Sequence, residues 1–219
     1  MSAPVIGIFD SGVGGLSVLT ACKQLMPNEQ FLYFADTDFA PYGDKSNLYI
    51  RRRVFSICDN FVAKGAKAIV VACNTATNVG IKMLRQRYSI PFVGLEPAIK
   101  PAQHIEGEVV LLCTTATARQ DKFLRLVEAY RPKNLIIAPQ KNLAGLIEKN
   151  FANLERVRHE VYKTLAPYIK ASAIILGCTH YVHIKQQIDD FYLAQGASVP
   201  QILDGNDGAA RRLQNLLSN

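Results

Sequence analysis

Short aliphatic blocks recur along the chain, each ending in small polar residues before a longer segment with helical spacing. The blocks are Val5–Phe9, Phe31–Ala35, Ile69–Val71, Phe92–Leu95, Glu108–Cys113, Leu135–Ala138, Ala173–Leu176 and Gln201–Leu203. Runs this short and this rich in Val and Ile suit strands buried on both faces. Between them, helical spacing appears in Leu16–Met26, Asn47–Lys64, a segment from Ala76, a segment after Thr117 to Tyr130, Leu143–Asn150, Leu154–Leu165, Ile184–Phe191 and Gly208–Leu217. Pro27 and Pro132 stop the first and fourth of these, because proline cannot donate to a helix. Steady alternation of strand and helix predicts parallel sheets and an α/β fold. Asp36–Ser46 reads as a loop of turn formers. Glu96-Pro97 is the best internal break. The expected division is an N-terminal α/β domain, residues 1–95, completed by a C-terminal helix, 204–219, and a second α/β domain, 96–203.

Two junctions share one design. Ile69–Val71 runs into Cys73-Asn74-Thr75, and Ala173–Leu176 runs into Gly177-Cys178-Thr179-His180. Each places a cysteine where a strand ends and a helix begins, the crevice in which open α/β sheets bind ligands. Helix N-terminal amides there favour a thiolate or a bound anion. The matched pair suggests two similar halves that face each other. A third junction, Asp10-Ser11-Gly12-Val13-Gly14-Gly15, follows the first strand. Its glycines would let a ligand approach the backbone. It departs from the dinucleotide fingerprint, since Ser17 stands at the third glycine position and Asp10 would repel a pyrophosphate. Asp10 either caps the following helix or enters the site.

Composition narrows the classes. The 219 residues are 49% apolar, enough for a sizeable core. No stretch reaches the roughly 18 unbroken apolar residues of a membrane span. Met1-Ser2-Ala3-Pro4 lacks the basic and apolar regions of a signal peptide. Five cysteines without framework spacing fit free thiols in a reducing cytoplasm. The net charge of +7 permits attraction to anions. The only dense basic run, Arg51-Arg52-Arg53, reads as a solvated helix face rather than a nucleic-acid patch.

Cys22, Cys58 and Cys113 lie in apolar patterns and read as core. His104 and His159 lie in polar contexts and read as solvated. Cys178, His180 and His183 leave three chemistries open: a zinc site short of one ligand, a nucleophile with a base, or an acid/base thiol tuned by a histidine. Two cysteines on opposite faces of one cleft suit inversion at a carbon, which needs a base on one face and an acid on the other. A thiol pKa of about 8.5 allows either role. The weakly acidic α-proton of an amino acid also requires donors for the developing negative charge. Asn74, Thr75, Thr179 and Ser11 are such donors, and Asp10 and Glu148 would pair with an ammonium or assist a thiol.

Phe9-Asp10-Ser11-Gly12-Val13-Gly14-Gly15-Leu16-Ser17, Tyr33-Phe34-Ala35-Asp36-Thr37, Pro41-Tyr42-Gly43-Asp44-Lys45-Ser46, Ala72-Cys73-Asn74-Thr75-Ala76, Glu96-Pro97-Ala98 and Leu176-Gly177-Cys178-Thr179-His180-Tyr181 lie in order along nearly the whole chain. Together they resemble the cofactor-independent aspartate/glutamate racemases, and glutamate racemases in particular. The resemblance implies two α/β domains related by a pseudo-twofold axis, with the active site in the cleft between them. It implies Cys73 and Cys178 as the acid/base pair, assisted by Asp10, His180 and Glu148. It implies substrate binding by Asp10, Ser11, Pro41, Tyr42, Gly43, Asn74, Thr75, Thr117, Thr179 and His180. It further implies glutamate as the small-molecule partner, no cofactor or metal, no nucleic-acid or membrane partner, room for a homodimer, a cytoplasmic location, and D-glutamate supply to peptidoglycan. Aspartate or another amino acid is the rival substrate. A nucleotide- or phosphate-binding protein using Gly12–Gly15 is the rival of another class. The chain departs from the family pattern at Gln140-Lys141, where a Cys-Pro pair is usual, and at Val182-His183.

Overall fold

The structure is a computed structural model that describes residues 4–218. Residues 1–3 and 219, which the expected domain ranges include, lie outside the described residues. The first sheet has β1 (Val5–Asp10), β2 (Phe31–Ala35), β3 (Ala66–Val71) and β4 (Phe92–Gly94), in the order β2-β1-β3-β4. The second has β5 (Glu108–Thr114), β6 (Leu135–Gln140), β7 (Ala171–Leu176) and β8 (Gln201–Asp204), in the order β6-β5-β7-β8. Every pairing is parallel, and β1 and β5 hold equivalent places. The β3 and β7 carboxyl ends, which carry the two cysteines, are therefore topologically equivalent.

The helices are α1 (Leu16–Leu25), α2 (Asn47–Ala63), α3 (Asn74–Arg87), α4 (Thr115–Ala118), α5 (Asp121–Tyr130), α6 (Leu143–Lys149), α7 (Arg158–Leu165), α8 (Lys185–Ala194) and α9 (Asn206–Leu217). Strand alternation divides the first core into two layers. Ile6, Ile8, Val70 and Val93 pack on Val18 and Cys22 of α1 and on Ala209, Ala210 and Leu213 of α9. Phe9, Ile69, Val71 and Phe92 pack on Ile50, Val54 and Phe61 of α2 and on Val79 and Leu84 of α3. The second half repeats this, with Val110, Leu112 and Ile174 toward α6, α7 and α8, and Val109, Leu111 and Ile175 toward α5. The end of the chain thus returns to the first sheet, because α9 turns a small and apolar stripe onto the α1 face. Among the described residues, no helix is long and apolar enough to cross a membrane.

Several boundaries differ from the sequence expectation. The segment after Thr117 does not run unbroken to Tyr130: α4 ends at Ala118, and Gln120 leaves the helix at ψ 133° before α5. Its side chain instead donates to Asn47 at 3.0 Å, tying the two halves together. The expected helix over Leu154–Leu165 opens as a 3₁₀ turn, Leu154–Val157, and a further 3₁₀ turn, Thr179–Ile184, precedes α8. The loop after β2 holds two 3₁₀ turns, Thr37–Phe39 and Tyr42–Asp44.

Candidate active site

The order β2-β1-β3-β4 sends the chain in opposite directions from β1 and β3, which opens a crevice at their carboxyl ends. Asp10 and Ser11 end β1 and Cys73 follows β3; in the second half Thr114 ends β5 and Cys178 follows β7. The two crevices face each other. Asp10 is fully buried, and both of its carboxylate oxygens accept from Thr179 Oγ1 at 3.3 Å across the cleft. Thr75 Oγ1 lies 3.2 Å from Thr114 Oγ1 and 3.3 Å from Thr117 Oγ1, also across it. Each thiol is buried and within electrostatic reach of the other.

Cys73 is itself the N-cap of α3, which starts at Asn74 rather than Ala76. Its sulfur accepts from Ala76 N–H at 3.5 Å. Burial, followed by the charge of Asp10, pushes the Cys73 thiol up to about 12, against the pull of Ala76 N–H and the Ser11 hydroxyl. In the free protein Cys73 is therefore a protonated thiol near neutral pH. On the other side, Cys178 Sγ lies 3.7 Å from His180 Nδ1, although side chains two apart at a strand end need not meet. The 3₁₀ turn after Cys178 curls His180 back over the sulfur. His180 Nε2 lies 2.5 Å from Glu148 Oε2. Burial works against the imidazolium, but Cys178 and Glu148 outweigh it and hold the His180 pKa well above its usual value. Burial likewise raises Glu148, yet His180 and Val13 N–H bring it below its usual value. The Asp10 carboxyl is raised by burial.

The glycine-rich turn is where the halves touch. Val13 N–H donates to Glu148 at 3.0 Å, and Gly15 N–H donates to Asp10 at 3.0 Å. A Cβ on Gly14 would stand 2.5 Å from Thr179 Oγ1 and 2.8 Å from the His180 backbone nitrogen, and one on Gly12 would strike the Glu148 carboxylate. Glycine is needed here for close packing of the second half, and the turn's amides face carboxylates of the chain itself. A phosphate cradle presents the opposite arrangement. Asp10 is not the N-cap of α1, a place Gly15 takes; it accepts from the Gly15 amide just ahead of the helix and enters the cleft as well. The zinc arrangement does not form, since His183 turns its Nε2 onto the Gly14 carbonyl at 3.0 Å while His180 is held between Cys178 and Glu148. Among the described residues, no group of three or more His, Cys, Asp and Glu is arranged so that it could hold a metal ion.

All of the residues expected at the site therefore gather at one interdomain cleft. Asn74 is buried, with its Nδ2 donating to Leu95 O at 3.3 Å and its Oδ1 unpartnered. Tyr42 lies within electrostatic reach of Cys73, and Gly43 approaches Thr114, where a Cβ would come to 3.3 Å. Pro41 faces Gly145 of α6, the helix that carries Glu148; a Cβ there would come within 3.6 Å of the proline ring. Cys22, Cys58 and Cys113 are core residues, with burial pushing each up to about 12. His104 and His159 are exposed.

Four groups have roles that the sequence reading did not assign, although it named His183 as a possible zinc ligand and Arg53 as part of a solvated run. Thr114 bridges Thr75 and Thr117. Tyr33 OH donates to Gly12 O at 2.8 Å and steadies the turn. His183 holds Gly14. Arg53 is not a solvated face residue like Arg51 and Arg52, because it pairs with buried Asp36. The first three act through tertiary neighbours, and no local spacing marks them.

Comparison with known proteins bears on this cleft. The profile of the Asp/Glu/Hydantoin racemase family matches residues 6–213. The chain is 42% identical to a glutamate racemase of Clostridium perfringens over 218 residues, 97% of this chain and 82% of the relative. It is 38% identical to one of Clostridium botulinum, over 98% of this chain and 84% of the relative. Among solved structures, it is similar to Escherichia coli glutamate racemase in complex with L-glutamate and the activator UDP-MurNAc-Ala. That match has TM-score 0.90 and 29% identity, and covers 100% of this chain and 84% of the other.

Proposed function

The chain belongs to the Asp/Glu/hydantoin racemase family, and from that membership we infer that it interconverts L- and D-glutamate and supplies D-glutamate to peptidoglycan synthesis. It is an isomerase that inverts the α-carbon of an amino acid. The observation that carries the mechanism is the pair of buried thiols at equivalent strand ends, one on each wall of the cleft. One thiolate takes the α-proton from its face, and the opposite thiol delivers its own proton to the other face. The reverse direction starts from the opposite protonation states.

The walls differ in how they manage the proton. On one side, His180 bridges Cys178 and Glu148 and can hold the proton that Cys178 gives up. On the other, the negative charge of Asp10 discourages the Cys73 thiolate. A substrate ammonium placed against Asp10 would offset that charge and ease ionisation of Cys73. The unpartnered Asn74 Oδ1 is a second acceptor for the ammonium. The Ser11, Thr75, Thr117 and Thr179 hydroxyls are donors for the substrate's carboxylates as charge develops. The reading places the enzyme in the cytoplasm, which the free cysteines suit. Pairing of two copies is measured by light scattering.

The test is racemisation in D₂O from one enantiomer, with early chiral separation and mass spectrometry, and aspartate run in parallel. Deuterium in the product but not in recovered substrate supports two opposed thiols, as does loss of turnover in both Cys73→Ser and Cys178→Ser. Equal early labelling of both pools, or full activity in either variant, rules the mechanism out. Faster turnover of aspartate rules out glutamate as the preferred substrate.

A further inference from the structure

The loop between β2 and α2 is anchored by a buried carboxylate that neither thiol touches. Asp36 follows β2 and is 3% exposed, with its N–H donating to Asp10 O at 3.0 Å. Its carboxylate accepts three bonds. Tyr42 OH donates to Oδ2 at 2.5 Å, Arg53 Nε donates to Oδ2 at 3.0 Å, and Arg53 Nη2 donates to Oδ1 at 2.5 Å. The guanidinium is stacked 3.9 Å over the Phe39 ring, so it is fixed on its face as well as by its fork. Burial, then the Asp36 bond, push the Tyr42 phenol pKa upward, so Tyr42 remains a donor.

What the clamp holds is the segment Pro41–Gly43, whose far side meets the other half of the molecule. Pro41 faces Gly145 of α6, three residues before Glu148, where an added Cβ would come within 3.6 Å of its ring, and Gly43 faces Thr114, where one would come to 3.3 Å. The same short loop thus faces the helix that carries the His180 partner and the threonine that borders Thr75 and Thr117. We propose that Arg53 is a positioning residue which, through Asp36 and Tyr42, fixes the loop against which the two halves close on substrate. Arg53 sits on α2 and touches none of the reacting groups; its effect passes through a buried carboxylate and a phenol. Lysine cannot replace it, since one ammonium cannot make the bidentate contact or the flat stack on Phe39. The proposal rests on the racemase reading, which assigns Pro41–Gly43 to substrate.

The experiment compares native protein with Arg53→Ala, Arg53→Lys and Tyr42→Phe. Hydrogen–deuterium exchange of residues 41–45 is measured alongside glutamate racemisation. Arg53→Ala should speed exchange at 41–45 while β1 and β3 stay protected, and should raise KM about tenfold with kcat within about threefold. Arg53→Lys and Tyr42→Phe should shift the same readouts in the same direction by less. Millimolar guanidinium should restore part of the KM in Arg53→Ala, because the side chain it replaces is 27% exposed, and should do nothing for Tyr42→Phe. Native exchange and native KM in a folded Arg53→Ala overturn the proposal. A fall in thermal stability alone, with unchanged KM and exchange, also overturns it. If Arg53→Ala does not fold, the two conservative variants decide by the same criteria. If the native protein does not racemise glutamate, the racemase reading fails, and exchange at 41–45 still decides whether Arg53 orders the loop.

Discussion

Gly14→Ala should lower kcat/KM for glutamate about a hundredfold while both halves remain folded. The backbone at Gly14 has negative φ, since the positive values among glycines fall at Gly65, Gly107 and Gly196, so alanine carries no conformational penalty there. The loss must come from contact. The added methyl would stand 2.5 Å from Thr179 Oγ1, 2.8 Å from His180 N and 2.8 Å from His180 Nδ1, where ordinary contact begins at 3.4 Å. Thr179 could rotate, but His180 N is backbone, so the turn after Cys178 must retreat by about 0.6 Å, and misplacement near 1 Å at a reacting centre costs about 10² in rate. A hundredfold corresponds to about 2.7 kcal/mol of transition-state stabilisation. The retreat would also stretch the Val13–Glu148 and Thr179–Asp10 contacts that span the cleft. The assay is initial-rate racemisation followed by circular dichroism, in both directions, with thermal unfolding on the same samples. A kcat/KM within about threefold of native, with unchanged unfolding temperature, refutes the argument that this glycine exists for close approach of the second half.

Gly65→Ala is the control: its φ is +77° with no atom within 4 Å, so strain of roughly 1–2 kcal/mol should appear in unfolding while turnover is unchanged. Asp10→Asn should lower kcat by about 10²–10⁴, more than it raises KM, if the carboxyl assists proton transfer, whereas loss of stability alone would leave it only a partner of the Gly15 amide. Glu148→Gln should reduce stability most between about pH 5 and 6.5. The native Glu148 pKa is lowered, so its contribution is present above the unfolded value of 4.5 and is lost as pH falls through the folded value; the native His180 pKa is raised, so its contribution is complete below the unfolded value of 6.5 and is lost as pH rises through the folded one. Urea unfolding of both proteins from pH 4 to pH 9 checks this, and a difference independent of pH would sink the pairing.

The strand blocks were legible because a strand buried on both faces must be apolar throughout, and Phe31–Ala35 was expected with the bounds observed. Cys73 and Cys178 were legible because each stands where an apolar strand run gives way to a helix, as a matched pair of junctions, and residue type alone would have read them as core like Cys22 and Cys58. The break between α4 and α5 was not legible, since Arg119 and Gln120 have ordinary helix propensity, and the Gln120–Asn47 bond that accompanies it joins residues far apart in the chain. Arg53 read as one of three like charges, and only the position of Asp36 after β2 separates it from Arg51 and Arg52.

Local residue order determined the α/β class, the parallel sheets and the presence of two matched thiol junctions, because periodicity and strand-end chemistry are properties of neighbours in the chain. The tertiary structure decided which groups meet. Glu148 reaches His180 and the Val13 amide, Asp10 reaches Thr179, Thr75 reaches Thr114, and α9 closes on the first sheet. These contacts join residues far apart in the chain, and their partners are chosen by how two packed sheets face one another. No window along the sequence contains that information.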